Sequence, residues 1–164
     1  MEPLIQAVAG PALRLTTLLV EDRTTAEDIV QEAFLRAWQS PKTPRELAEF
    51  RRWVYRIAVN LSRDHHRRTA VRRVLRLIPE PSADPGVLAE NRLTGALVDE
   101  AVRSLPGSER EAVTLRYFED ASYDEMAQIL GKREGACRAL VHRALKKVGA
   151  RLTAQGLAPE GANP

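Results

Sequence analysis

The sequence predicts an all-α protein of two small helical domains, on three observations. Only nine of its 164 residues are glycine, and leucine, alanine, glutamate and arginine are frequent, a composition that favours helix over sheet. Apolar residues recur at intervals of three and four behind capping boxes, in which a hydroxyl residue and a glutamate three positions on satisfy orphan amides at a helix start. Between two such blocks lies a stretch of different character, with Pro79, Pro81, Ser82, Pro85, Gly86 and acids, which reads as an extended linker. The expected organisation is a first domain at 1–76, an acidic proline-rich linker at 77–92, a second domain at 93–153 and a disordered Gly/Pro/Ala-rich tail at 154–164.

In the first domain, Leu4 to Val20 is apolar and helical, with Pro3 near its start and Pro11 a point of irregularity. Thr24 with Glu27 forms a capping box, followed by Ala26, Ile29, Val30, Ala33, Phe34, Ala37 and Trp38 as an inward stripe. The polar face carries Asp28, Gln31, Glu32, Leu35 and Arg36, and an exposed leucine among charges suits a protein contact. Ser40-Pro41-Lys42-Thr43-Pro44 makes a constrained loop. A third helix runs from about Arg45, with Leu47, Phe50, Trp53, Val54, Ile57, Ala58 and Leu61 inward and Arg52, Arg56, Asn60, Arg63 and Arg67 elsewhere on its surface. Arginines neutralise phosphate and an asparagine amide can bond a base edge, while Tyr55 is placed to stack on unpaired bases.

In the second domain a helix ends near Leu105, Pro106-Gly107 turns the chain, and Ser108 with Glu111 caps a helix from Glu109 to Phe118. Ser122 with Glu125 caps the next, from about Tyr123. Ala127, Gly131 and Cys137 then fall where a helix-turn-helix needs a small residue at the crossing, a turn residue at positive φ and a buried plug. Beyond the turn, Cys137, Val141, Ala144, Leu145 and Val148 form the packing stripe. Lys132, Arg133, Arg138, Arg143, Lys146 and Lys147 populate the other faces, which can meet phosphate.

The formal net charge of +3 conceals strong segregation. Residues 51–76 carry nine arginines against Asp64, and residues 126–152 carry seven basic residues against Glu134. Residues 77–125 hold eleven acids and four arginines. Two separated contacts with a polyanion fit this alternation. The one cysteine, Cys137, excludes an internal disulfide and reads as packing. No apolar run reaches the length of a membrane span or secretory core, so the chain reads as cytoplasmic. His65-His66 lacks metal-ligand partners and reads as DNA-facing or solvated. No metal site, cofactor, nucleophile–base constellation or phosphate loop is expected, which argues against an enzyme.

Three runs carry a family resemblance: Ala26 to Trp38 (AEDIVQEAFLRAW), Phe50 to Leu61 (FRRWVYRIAVNL) and Asp64 to Arg68 (DHHRR). They resemble conserved region 2 of bacterial sigma-70 family factors of the extracytoplasmic-function (ECF) group. Leu105-Pro106 through Glu109 to Val113 and on to His142 to Lys146 resembles their region 4. The resemblance implies a transcription initiation factor with core RNA polymerase, promoter DNA and an anti-sigma factor as partners. It implies that Asp28, Gln31, Glu32, Leu35 and Arg36 dock on the polymerase clamp coiled coil. Arg52, Arg56, Asn60, Arg63 and Arg67, with the loop Ser40 to Glu49, would hold the melted −10 strand. Lys132, Arg133, Glu134, Gly135, Arg138, Ala139, His142 and Arg143 would meet the −35 duplex, with the apolar face of that helix against the polymerase flap.

The recognition helix departs from the family pattern. Where members commonly show threonine, lysine, serine and then arginine, this chain has Ala136, Arg138, Ala139 and Leu140. The expectation is weakened or altered −35 binding, or a protein contact at Leu140. Two alternatives follow: a sigma-like mimic that binds an anti-sigma protein or polymerase without selecting promoters, and a conventional duplex-binding regulator, which leaves the first domain unexplained.

Overall fold

The computed structural model describes residues 1–75 and 93–157, and among them every regular element is helical. The expected linker and the tail beyond Leu157 lie outside the described residues. The chain divides into two compact units, Met1–Ala89 and Glu90–Pro164.

In the first unit α1 (Glu2–Val20), α2 (Arg23–Gln39) and α3 (Leu47–Val74) each pack on the other two. Pro3 sits in the first turn of α1, where its missing N–H was an orphan in any case. The helix runs through Pro11 without a break. Losing that hydrogen bond costs roughly 3 kcal/mol, and burial of Val8, Ala12, Leu15, Leu18 and Leu19 on the same helix offsets it. By length and composition α1 could cross a membrane, contrary to the sequence expectation. Its packing against α2 and α3 accounts for the apolarity, because a helix in contact with two others needs a broad apolar face.

Glu21, left-handed at φ 66, closes α1, and Asp22 follows at once as the N-cap of α2. Its carboxylate accepts the Thr25 N–H at 3.0 Å. The box expected at Thr24 does not form. The abrupt reversal at Glu21 leaves Asp22 in extended backbone, so that Thr24 is already inside the helix. Glu46 caps α3 in the same way, accepting from the Ala48 and Glu49 amides at 3.1 Å each, so α3 starts two residues beyond Arg45.

Three burial expectations are overturned here. Trp38 is 63% exposed and Leu47 48% exposed, whereas Tyr55 is 2% exposed and belongs to the core. Ala26, Ile29, Val30, Ala33 and Ala37 form the buried stripe of α2, and Trp38 lies about 100° round the helix from Ala37. Leu47 is the first residue of α3, before Phe50 and Val54 enter the core.

The second unit comprises α4 (Leu93–Arg103), α5 (Gly107–Val113) leading into a π-helical segment (Thr114–Phe118), α6 (Tyr123–Leu130) and α7 (Glu134–Ala154). Helices α4, α5 and α6 all pack on α7. Val102, Leu105, Val113 and Ala144 form a core cluster with Val98 and Val148 at its rim. The box expected at Ser108 is absent: α5 starts at Gly107 behind Pro106, with no side-chain cap. Proline sets the entry geometry there and leaves Ser108 in the first turn, while the Arg110 guanidinium donates to the Leu105 carbonyl at 3.1 Å. The Ser122 box is complete. Ser122 Oγ accepts the Glu125 N–H at 3.1 Å, and the Glu125 carboxylate accepts the Ser122 N–H at 3.0 Å. Helix α7 runs one residue into the segment expected as tail.

Candidate functional site

The outer face of α2 is built by the phase of its buried alanines. Asp28, Gln31, Leu35 and Arg36 are exposed and Glu32 is half-buried, bonded to Arg36 at 2.8 Å. Gln31, Leu35 and Trp38 fall at i, i+4 and i+7, so the tryptophan extends the exposed stripe instead of the core. Asp28 and Glu32 also line a groove of ≈ 390 Å³, across which lie Asp64, His65, Arg68 and Arg72 of α3. Burial, then the neighbouring His66, pushes the His65 pKa down, so its imidazole is neutral at pH 7. His66 is exposed, in keeping with the solvated reading of the pair, and its Nε2–H donates to the Leu19 carbonyl in the last turn of α1 at 2.6 Å.

On α3, Arg52, Arg56, Asn60, Arg63 and Arg67 succeed one another at steps of four, four, three and four. Those steps confine them to an arc of about 80° over about 22 Å of helix. Arg56, Asn60 and Arg67 are exposed and Arg52 and Arg63 half-buried, while Val54, Tyr55, Ala58, Val59 and Ser62 are buried against the rest of the unit. Arg67 is bonded to Asp64, one turn back on the same helix.

The second candidate surface is the α6–turn–α7 pair. Gly131 takes φ 67 as the left-handed cap of α6, a conformation that glycine adopts without a Cβ penalty. The amides of Gly131 and Lys132 both donate to the Ala127 carbonyl, at 3.0 and 3.2 Å. Cys137 is fully buried, and burial raises its thiol pKa, so it is a protonated plug at neutral pH. Lys132, Arg133, Glu134, Gly135, Arg138, Ala139, His142 and Arg143 all stand exposed, as expected for a surface that meets a ligand.

The cations of α7 are not equivalent. Lys147 Nζ donates to Glu109 Oε1 at 3.0 Å, Arg143 lies 3.6 Å from the same carboxylate, and Arg151 bonds Glu100 at 2.9 Å. Arg138 lies 3.8 Å from Glu134 and over the Tyr123 ring, 4.7 Å from its centroid. Glu109 is itself buried, so it holds α7 to α5 from inside the unit.

Two leucines exchange the roles expected of them. Leu140 is 7% exposed and Leu145 41% exposed. Both lie about 70° from the centre of the stripe formed by Cys137, Val141, Ala144 and Val148. Leu140 shares its flank with Arg143 and Lys147, which meet Glu109 of α5, and is covered on that side. Leu145 shares the open flank of Glu134 and Arg138. Position 140 therefore offers neither a phosphate contact nor a protein contact at the surface.

A model of sigma-70 region 2 matches residues 4–72, and a model of sigma-70 region 4 matches residues 96–148. The ECF RNA polymerase sigma factor SigL of Mycobacterium tuberculosis is 34% identical over 152 residues, which cover 89% of this chain and 81% of SigL. The chain belongs to the ECF group of sigma-70 family factors. The ECF sigma factor SigE of Mycolicibacterium smegmatis is 33% identical over 87% of this chain, which spans only 57% of SigE. Another curated ECF factor, BldN of Streptomyces coelicolor, is spanned over half its length. The structure of the sigma factor RpoE of Bartonella quintana, solved with the anti-sigma factor NepR, shares the fold. Its TM-score is 0.79 at 20% identity, over 93% of this chain and 96% of that one.

Within this ECF chain the structure brings Asp28, Gln31, Glu32, Leu35 and Arg36 onto one helix and the five α3 residues onto one face. It adds three residues that sequence reading missed. Trp38 carried a signal in its i+7 spacing from Gln31, but its apolarity assigned it to the core. Glu109 and Tyr123 reach α7 from 38 and 15 positions away, and no local pattern announces such contacts.

Proposed function

We propose that this chain is an ECF sigma factor that binds core RNA polymerase and directs initiation at promoters, melting a −10 element and binding a −35 element. The observation that carries the reading is the pairing, in region order, of an arginine–asparagine stripe on α3, exposed at Arg56, Asn60 and Arg67, with an exposed basic face on α7. Arg52, Arg56, Asn60, Arg63 and Arg67 contact the unpaired −10 strand, where long cationic side chains follow the backbone and the asparagine amide bonds a base. Lys132, Arg133, Glu134, Gly135, Arg138, Ala139, His142 and Arg143 meet the −35 major groove and its phosphates. Asp28, Gln31, Glu32, Leu35 and Arg36, joined by Trp38, dock on the clamp coiled coil. An anti-sigma factor covers these surfaces when transcription is off.

The burial of Leu140 bears on the mimic that selects no promoter. Of the four departures in α7, the one at Leu140 costs no DNA contact, because that position is covered by the fold. Run-off transcription from a library of promoter-like templates, with core polymerase of the source organism, tests the reading. Transcripts sharing −35 and −10 elements are the expected result. Polymerase binding without selective starts would favour the mimic, and no polymerase binding would favour the duplex-binding regulator.

A further inference from the structure

We propose that Tyr123 is a positioning residue for promoter recognition, fixing the Arg138 guanidinium for a bidentate contact with paired acceptors of the −35 duplex. The proposal rests on the reading of α7 as the −35 helix.

Tyr123 is the first residue of α6, set there by the Ser122–Glu125 capping box. Its half-buried ring carries two guanidinia, Arg116 at 4.5 Å and Arg138 at 4.7 Å from the centroid. Arg116 is pinned by its own bond to the Ala121 carbonyl at 3.0 Å, and the Ala121 amide donates to Leu115 at 3.0 Å. The ring is thus held against a fixed cation of the π-helical segment and offers its surface to a second cation from α7. Glu134 also approaches Arg138, but at 3.8 Å it sets charge proximity without a hydrogen-bond direction. The ring supplies what the carboxylate does not: a plane. A guanidinium stacked on an aromatic face spends none of its edge N–H donors, so the fork remains available for two adjacent acceptors. In a duplex those acceptors are O6 and N7 of guanine in the major groove or two oxygens of one phosphate.

The test uses the full chain with core polymerase and templates randomised over the −35 region, comparing wild type with Tyr123→Leu, Tyr123→Phe, Arg138→Ala and the Tyr123→Leu/Arg138→Ala double variant. The expected result is a loss of about two- to fivefold in selective initiation for Y123L, retained function for Y123F, and no further loss when Y123L is added to R138A. Relaxation of the same base pairs in Y123L and R138A assigns the acceptors to guanine. A uniform loss across all templates, with Y123F retained, assigns them to phosphate, and both results support the positioning role. Proton chemical shifts of the Arg138 δ-methylene in the free chain report the stack without DNA, since the ring current vanishes in Y123L. Selection that R138A relaxes and Y123L leaves unchanged would overturn the proposal while leaving the sigma-factor reading intact. Loss from Y123L that adds fully to that of R138A would overturn it too. Absence of any promoter selection by the wild-type chain would defeat the functional reading itself, and this inference with it.

Discussion

On α3, Arg67 is tied to Asp64 of its own helix, whereas on α7 Arg143, Lys147 and Arg151 are tied to acids of α5 and α4. A pair within one exposed helix contributes only a few tenths of a kcal/mol. It can be exchanged for a phosphate with nothing else disturbed, which suits a surface that follows a flexible single strand. A pair reaching across the fold also fixes where the helix sits. The cations of α7 are therefore partly committed before any DNA arrives, and the geometry of the face is set by the unit instead of the ligand.

The sharpest way to break that contrast is to substitute at the committed flank. Leu140→Arg places a cation in a covered position and is expected to destabilise the second unit by about 3 kcal/mol or more in urea unfolding. Ala139→Arg, one residue away on the exposed face, should change stability by less than about 0.5 kcal/mol. Equal effects at 139 and 140 would show that the flank is not covered. A substitution on α2 removes partner contact without touching the core. Leu35→Ala with Trp38→Ala should cost about 2 kcal/mol or more in affinity for core polymerase, with the unfolding midpoint almost unchanged.

Glu109→Gln sharpens the comparison instead of breaking it. It should lower stability by about 1 kcal/mol while freeing Arg143 and Lys147 for phosphate. Each additional phosphate neutralised steepens the dependence of log K on log salt by about 0.9, so duplex binding of the variant should be more salt-sensitive than wild type. An unchanged slope would mean that releasing the two cations from Glu109 adds no phosphate contact. The smallest effect belongs to Asp22. Bonds from the Thr25 hydroxyl and amide hold its carboxyl below the usual aspartate range. A depressed carboxylate stabilises the fold above its unfolded pKa and loses that contribution as pH falls through the folded value. Acid titration from pH 5 downward should therefore destabilise wild type more than Asp22→Asn, and a parallel course of the two curves would remove Asp22 from the account.

The pattern of the chain announced what is periodic and local. The all-α class, the complete cap at Ser122, the left-handed Gly131 and the buried Cys137 follow from spacing, because each depends on residues within one or two turns. Where an end is decided by chain reversal, the cap moved: Asp22 displaced Thr24 because Glu21 turns left-handed first. Trp38, Leu140 and Leu145 were misread for a different reason. Leu140 and Leu145 lie at the margin of an apolar stripe, where only the position of a neighbouring helix decides between core and surface, and Trp38 lies a full step of about 100° beyond Ala37, where its apolarity outweighed its phase. The candidate residues of α2, α3 and α7 were legible as runs and as faces. Their partners Glu109 and Tyr123 were not, since such contacts exist only once α5 and α6 are packed on α7.

The π-helical segment has a consequence for chain length. Glu119 N–H closes its ring on the Thr114 carbonyl, five residues back, where an α-helix would close on the fourth. Residues 114–118 thus hold one residue more than an α-helical path requires. Removing one of them would relax the bulge into α geometry with both flanking elements still in phase. A deletion in α7 would instead rotate every later side chain by about 100°. In a scan of single-residue deletions across this unit, removal of the exposed Tyr117 from the bulge is expected to cost less stability than removal of a residue from the α-helical turns of α5 or α6.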